Sequence, residues 1–156
     1  MTTSTSDLFD ANPGAATCET QLRQFGGVRS FSGRIATVRC LEDNVLVKQR
    51  CGEPGDGRVL VVDGGGSFRC ALVGDAVAGL ALANGWAGLV LNACVRDVDA
   101  LAELPIGIKA LGTNPRPSGK TGAGEVDVPV TFGSAEFAPG ALLYSDEDGL
   151  LILAAT

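Results

Sequence analysis

Three short apolar runs constrain the fold most: "RVLVVD" (Arg58–Asp63), "WAGLVLN" (Trp86–Asn92) and "IGIKALGT" (Ile106–Thr113). Each reads as a strand, and the segments between them change to a helical period. "LVGDAVAGLALANG" puts Val77, Leu80, Ala81 and Asn84 on one helical face. A helix is predicted there from about Gly74-Asp75 to Asn84-Gly85, with Gly85 suited to the left-handed residue past a C-terminus. "VDALAEL" (Val98–Leu104) reads as a shorter helix. Strand, helix, strand, helix and strand in succession call for parallel pairing.

The ends of the chain read differently. "FSGRIATVRC" (Phe31–Cys40) alternates as a strand, with Ile35 and Val38 among its apolar positions. Asp43 is placed to cap a short helix through Lys48, and "GEPGDG" (Gly52–Gly57) is a turn. The opening "SDLFDANPGAATCETQLRQFGG" reads as two short helical pieces broken at Asn12-Pro13-Gly14. Past the loop "TNPRPSGKTGAGE", the runs "VDVPVTF", "GALLYS" and "LLILAA" are strands, with "DEDG" as a turn. The expectation is an α/β chain, a mixed β/β/α domain with parallel core strands and antiparallel terminal strands, and not a pure doubly wound sheet.

At 156 residues the chain is expected to be one domain spanning 1–156. Its 46% hydrophobic content and 22 glycines imply either deep burial or a subunit interface. A net charge of -6, with 12 scattered basic residues, argues against direct nucleic-acid binding. No signal peptide is evident, and no apolar run reaches the roughly 18 residues of a membrane span. Five cysteines without a CxxC pair fit a reduced, cytoplasmic protein. There is no histidine, which removes Ser-His and Cys-His nucleophile pairs and the commonest ligand for zinc, copper and iron. Any metal is then expected to be a hard, oxygen-ligated cation such as magnesium or manganese.

Two places carry candidate chemistry. Gly74, Asp75, Ala76 and Val77 open a helix, where free N–H groups and the helix dipole form an anion nest, or where Asp75 serves only as a cap. Arg96 and Asp97 follow an apolar strand, at the end where α/β sheets bind ligands. An Arg fork suits a keto-acid carboxylate and an Asp suits a divalent ion. Equally, Asp97 could cap the following helix and Arg96 could join a surface ion pair worth under about 1 kcal/mol. Lys48, Lys109 and Lys120 offer a Schiff-base route, of which Lys109 stands in a strand-like stretch. Cys94 reads as a small core residue. Gly64-Gly65-Gly66 follows a strand, but Arg69 stands where a dinucleotide fingerprint needs its last glycine. That pattern gives a methyltransferase or dinucleotide site no support.

"FGG" (Phe25–Gly27), "VLVVDGGGS", "ALVGD", "GLVLNACVRD", "IGIKALGTNPR", "GAGE" and "PGALLYSDEDGLLIL" resemble the RraA-like family over nearly the whole chain. That family holds regulators of ribonuclease E and divalent-metal 4-hydroxy-4-methyl-2-oxoglutarate aldolases. The resemblance implies a swivelling β/β/α fold, a homotrimer with sites near subunit boundaries, and magnesium or manganese as cofactor. It implies that Asp97 ligates the metal and Arg96 clamps the keto-acid substrate. Gly74 to Val77 would supply amides, and Asp75 would orient a water for proton transfer. Oxaloacetate decarboxylation is an expected side activity. The regulators tend to lose the Asp after the Arg; this sequence keeps it. The longer aldolases carry a C-terminal extension that lends a carboxylate to the neighbouring subunit's metal, whereas this sequence stops at Thr156. The expectation is a lower efficiency on the aldol substrate, with Glu42 or Glu125 as candidates to complete the shell. Ribonuclease E is the alternative partner.

Overall fold

A computed structural model describes residues 3–155. In chain order the elements are α1 (Thr5–Ala11), β1 (Ala16–Thr17), β2 (Arg23–Gln24), β3 (Phe31–Arg39), α2 (Val45–Cys51), β4 (Val59–Asp63) and β5 (Ala71–Val73). Then come α3 (Asp75–Ala83), β6 (Gly88–Asn92), β7 (Cys94–Val95), α4 (Val98–Ala102), β8 (Gly107–Ala110) and β9 (Gly112–Thr113). The chain closes with β10 (Glu125–Val126), β11 (Val130–Phe132), β12 (Ala135–Phe137), β13 (Leu142–Asp146) and β14 (Gly149–Leu153).

The main sheet runs β1-β14-β13-β3-β4-β6-β8-β2, with β10 paired to β3. Its centre, β3-β4-β6-β8, is parallel, and β13, β14 and β1 continue it antiparallel, as expected. The parallel strands are buried on both faces, which is why they read as unbroken apolar runs. Leu60, Val62, Leu89, Leu91 and Ile108 face a core shared with α2 and α3. Val59, Val61 and Val90 face a second core with Phe31, Phe132, Phe137 and Leu143. Phe132 and Phe137 stack there with centroids 4.4 Å apart. Burying one such Leu or Phe stabilises by about 1.5–3 kcal/mol. Gly88 and Gly107 make room for the Phe31 ring: a Cβ on either would lie 2.4 Å or 2.1 Å from it.

Several expectations change. The opening segment holds one helix, α1, and the second helical piece is replaced by extended chain, because β1 and β2 find sheet edges on β14 and β8. α1 is anchored where Thr5 N–H and hydroxyl donate to the Asp146 carboxylate at 2.8 and 2.7 Å. α2 runs through Cys51 and not only through Lys48. "IGIKALGT" is two strands: the chain leaves β8 at Leu111 and continues as β9 in a separate parallel sheet, β5-β7-β9. β6 and β7 do the same across Ala93. "VDVPVTF" also splits, around Asp127 with φ 57°, into β10 and β11.

Candidate functional site

The small sheet builds the site. β5 and β7 pair in parallel, Ala71 with Cys94 and Val73 with Val95, so the chain leaves both strands at the same end. Gly74-Asp75 therefore emerges beside Arg96-Asp97, and Arg96 N–H extends the ladder to Val73 O at 3.0 Å. Gly74, Asp75, Ala76, Val77, Arg96 and Asp97 all line one crevice of about 600 Å3.

Two bland readings fail on geometry. Asp97 stands at the N-cap of α4, but its side chain caps nothing there. Its Oδ2 instead accepts the Asp75 N–H at 3.1 Å. Asp75 is not the N-cap of α3 either; Gly74 is, and the Asp75 carboxylate accepts no hydrogen bond from any described residue. One amide of the expected cradle is thus engaged by Asp97. Those of Ala76 and Val77, in the first turn of α3, have no intrahelical carbonyl to bond. The helix dipole adds partial positive charge at that point.

Asp97 sits at φ 62°, ψ 44°, a left-handed conformation that costs a non-glycine residue about 1–2 kcal/mol. That turn swings its carboxylate back over α3. Glycine at position 74 leaves room for this, since a Cβ would lie 2.4 Å from Asp97 Oδ2 and 3.3 Å from Arg96 Cγ, and the Asp97 carboxylate would have to shift. Arg96 Nε and Asp97 Oδ2 are 4.0 Å apart, both side chains partly exposed, so the pair is loose. The guanidinium is steadied by Pro115 O, 3.3 Å from Nη1, and keeps its other donors available.

The rest of the crevice is lined by Asn44, Val45 and Lys48 around the start of α2 and by Pro117, Ser118 and Lys120; Lys48 and Lys120 are two of the three lysines that the sequence offered for a Schiff base, whereas Asn44 and Ser118 were not singled out. Lys120 Nζ donates to Asn44 Oδ1 at 2.7 Å and Ser118 Oγ at 3.3 Å, and Asn44 Nδ2 donates to Leu72 O at 2.9 Å. Lys48 also lines the crevice, with no ion pair among the described residues. Arg96, Lys48 and Lys120 thus outnumber Asp75 and Asp97 around one cavity of a chain whose net charge is -6. Such a site favours an organic anion.

Other candidates lie elsewhere. Lys109 is buried on the opposite face of the main sheet, where its ammonium donates to the Asp146 carbonyl, so it cannot reach a substrate in this crevice. Burial holds its pKa below the usual lysine value, against the pull of Asp146, Glu147 and Asp148. Glu42 accepts from Ser67 Oγ at 3.0 Å, and Glu125 pairs with Arg39 at 2.6 Å; neither lines the crevice, so neither completes a metal shell within this chain. Cys94 is fully buried, and burial raises its thiol pKa, as a core residue requires. The Gly64-Gly65-Gly66 amides are spent internally, Gly64 and Gly66 on Asn92 O at 3.1 Å and Gly65 on Asp63 Oδ1 at 3.0 Å. No phosphate nest remains there.

Among the described residues no group of three Cys, Asp or Glu could cage a metal. The carboxylates lining the crevice are those of Asp97, whose Oδ1 is not engaged by any described donor, and Asp75. That suits an ion which keeps most of its waters and adds substrate oxygens, as magnesium does. It does not suit a tetrahedral structural metal.

Parallel strands end together at a crevice lined by a helix N-terminus, an arginine and an aspartate, in a mixed α/β protein. The chain belongs to the RraA-like family, described as Aldolase/RraA, which it matches over residues 2–152. It is similar to the RNA-processing inhibitor RraA from Thermus thermophilus at 46% identity and TM-score 0.97, over 99% of this chain and 94% of that one. It is 42% identical to a Geobacillus kaustophilus HTA426 protein described as an S-adenosylmethionine:2-dimethylmenaquinone methyltransferase, with TM-score 0.97 over 99% and 96% of the two chains. Streptomyces coelicolor RraAS2 shares the fold at 22% identity and TM-score 0.75, over 96% and 78%. No helix of the described residues is long and apolar enough to cross a membrane.

Proposed function

We propose that the chain is a metal-dependent aldolase that cleaves 4-hydroxy-4-methyl-2-oxoglutarate, or a close relative, to two pyruvates. The observation that carries this reading is the meeting of Asp75, Arg96 and Asp97 at one cavity, with Asp97 in a left-handed turn that leaves its Oδ1 without a described donor. A family described as Aldolase/RraA supports the same reaction class. Arg96 grips the C1 carboxylate as a fork, and the Ala76 and Val77 amides orient it. A magnesium or manganese ion held by Asp97 would polarise the 2-keto oxygen and neutralise charge on the departing enolate. Asp75, through one water, takes the proton from the C4 hydroxyl. As the C4 carbonyl forms, the C3–C4 bond breaks, and its electrons pass into the enolate of one pyruvate. The proton returns to C3 and completes the second product. Oxaloacetate loses carbon dioxide through the same enolate, so decarboxylation accompanies the aldol activity. The proposed enzyme works as a homotrimer in the cytoplasm.

Pyruvate release from a panel of keto acids tests this. EDTA abolishes the release, manganese or magnesium restores it, and Asp97→Ala shows none. Chelator-insensitive activity that borohydride traps would place the chemistry on a lysine instead.

A second reading rests on the Thermus relative's description as an RNA-processing inhibitor: a protein regulator, with ribonuclease E as the partner that the family resemblance suggests. Capture of ribonuclease E equally by wild type and Asp97→Ala, with no keto-acid turnover, would favour it. The methyltransferase description of the Geobacillus relative has no counterpart in the spent amides of the Gly64 turn.

A further inference from the structure

The crevice wall carrying Lys120 is a strap with little secondary structure of its own, and one buried carboxylate ties it down. Asp43 is 4% exposed. Its Oδ2 accepts the Thr121 amide and, at 2.8 Å, the Thr121 hydroxyl, while Oδ1 accepts the Gly122 amide at 3.1 Å. The fourth donor is the Val45 amide at 3.2 Å, so the carboxylate joins the strap to the first turn of α2. Main-chain bonds fasten the same seam: Gly119 N–H to Glu42 O at 2.9 Å, and Asn44 N–H to Gly119 O at 3.4 Å. Lys120 lies between these ties, its ammonium aimed along Asn44 and Ser118 at the cavity edge. Asp43 itself does not line the cavity.

We infer that Asp43 is a positioning residue: it clamps residues 117–122 against α2 and thereby fixes the Lys120 ammonium at the crevice that Arg96 also lines, where the distal carboxylate of a dicarboxylic keto acid binds. This rests on the proposed aldolase reading for its substrate, but the clamp itself does not. Four donors converge on this carboxylate, and a neutral amide in its place would aim an NH2 at donors. The strap then lifts, and Lys120 is lost as a fixed cation. Because Asp43 touches no reacting atom, the effect falls on KM for the dicarboxylate more than on kcat.

The experiment has two parts on the full chain. Hydrogen exchange of Asp43→Asn reads the strap with no substrate present: the Thr121 and Gly122 amides lose protection while those of β4 and β6 keep theirs. Unchanged protection at 121 and 122 would overturn the clamp. Kinetics then read the coupling to Lys120. Asp43→Asn raises KM for 4-hydroxy-4-methyl-2-oxoglutarate by about tenfold, and Asp43→Asn combined with Lys120→Ala is no worse than Lys120→Ala alone. A merely structural role would give multiplying effects in the double variant and would sink the assignment. Should Asp43→Asn not fold, Thr121→Ala removes one strap donor and is read in the same cycle, with a smaller rise. If the wild type turns over no keto acid, the aldolase reading fails while the exchange result still decides the clamp.

Discussion

Gly74→Ala places one methyl group at the tightest contact of the crevice. Gly74 has φ -123° and ψ -164°, a conformation alanine adopts without strain, so the backbone has no reason to object. The new Cβ, however, would lie 2.4 Å from Asp97 Oδ2. Ordinary contact needs roughly 1 Å more, and Gly74 and Asp97 are held by parallel neighbours, so the carboxylate has to move. Its hydrogen bond from the Asp75 amide stretches with it, a loss of about 1.5–3 kcal/mol for a charged acceptor. Against that, alanine restricts the unfolded chain and returns about 0.4–1 kcal/mol. Net stability should therefore fall by only about 0.5–2.6 kcal/mol, while a misplacement near 1 Å costs roughly 100-fold in rate. Manganese affinity should weaken by about 10–100-fold, as when a ligand loses its orienting partner. Thermal unfolding, a manganese titration and pyruvate release would be measured on the one variant. A folded Gly74→Ala with wild-type metal affinity and turnover would refute the idea that this glycine sets the Asp97 carboxylate.

Arg96→Lys should keep the charge but lose the fork, raising KM for keto acids by about tenfold or more, read in the same pyruvate assay. Asp43 and Asp146 are pushed up by burial, but the hydrogen bonds donated to them pull both below the usual carboxylate value. A depressed carboxyl stabilises the fold above its unfolded pKa and loses that contribution as pH falls through the folded one. Acid unfolding should thus begin only below about pH 4, and Asp146→Asn should soften the transition and expose α1 to exchange. Lys109 shifts the opposite way: with its folded pKa lowered, the unfolded chain binds more protons between the folded value and about 10.4. Stability should therefore rise with pH through that window in wild type, and the rise should be absent in Lys109→Met, as denaturant titrations at several pH values would report.

The parallel centre was legible because strands buried on both faces must be apolar throughout, and "RVLVVD" and "GLVLN" could be little else. The convergence of Gly74-Asp75 with Arg96-Asp97 was legible in part, since both follow strands of one alternating series. What the sequence hid is the second small sheet. "NACVRD" and "KALGTN" look like strand ends running into loops, and only tertiary pairing makes β7 and β9 strands of two residues each. The left-handed turn at Asp97 was hidden for the same reason, because its cost is met by contacts with α3 from a distant part of the chain. The role of Asp43 was half visible: it does receive the Val45 amide, as a cap would, but its other donors lie 78 and 79 residues away. Lys109 shows how a local pattern misleads. It stands in a strand beside the right residues, yet alternation turns it to the far face, toward Asp146.

The most direct measurement is a crystal structure of the protein soaked with manganese and pyruvate. The account predicts a manganese ion on the Asp97 carboxylate and a pyruvate carboxylate on the Arg96 guanidinium, at the mouth of α3. Both ligands absent from that crevice at saturating concentrations, or a metal bound elsewhere on the chain, would contradict it.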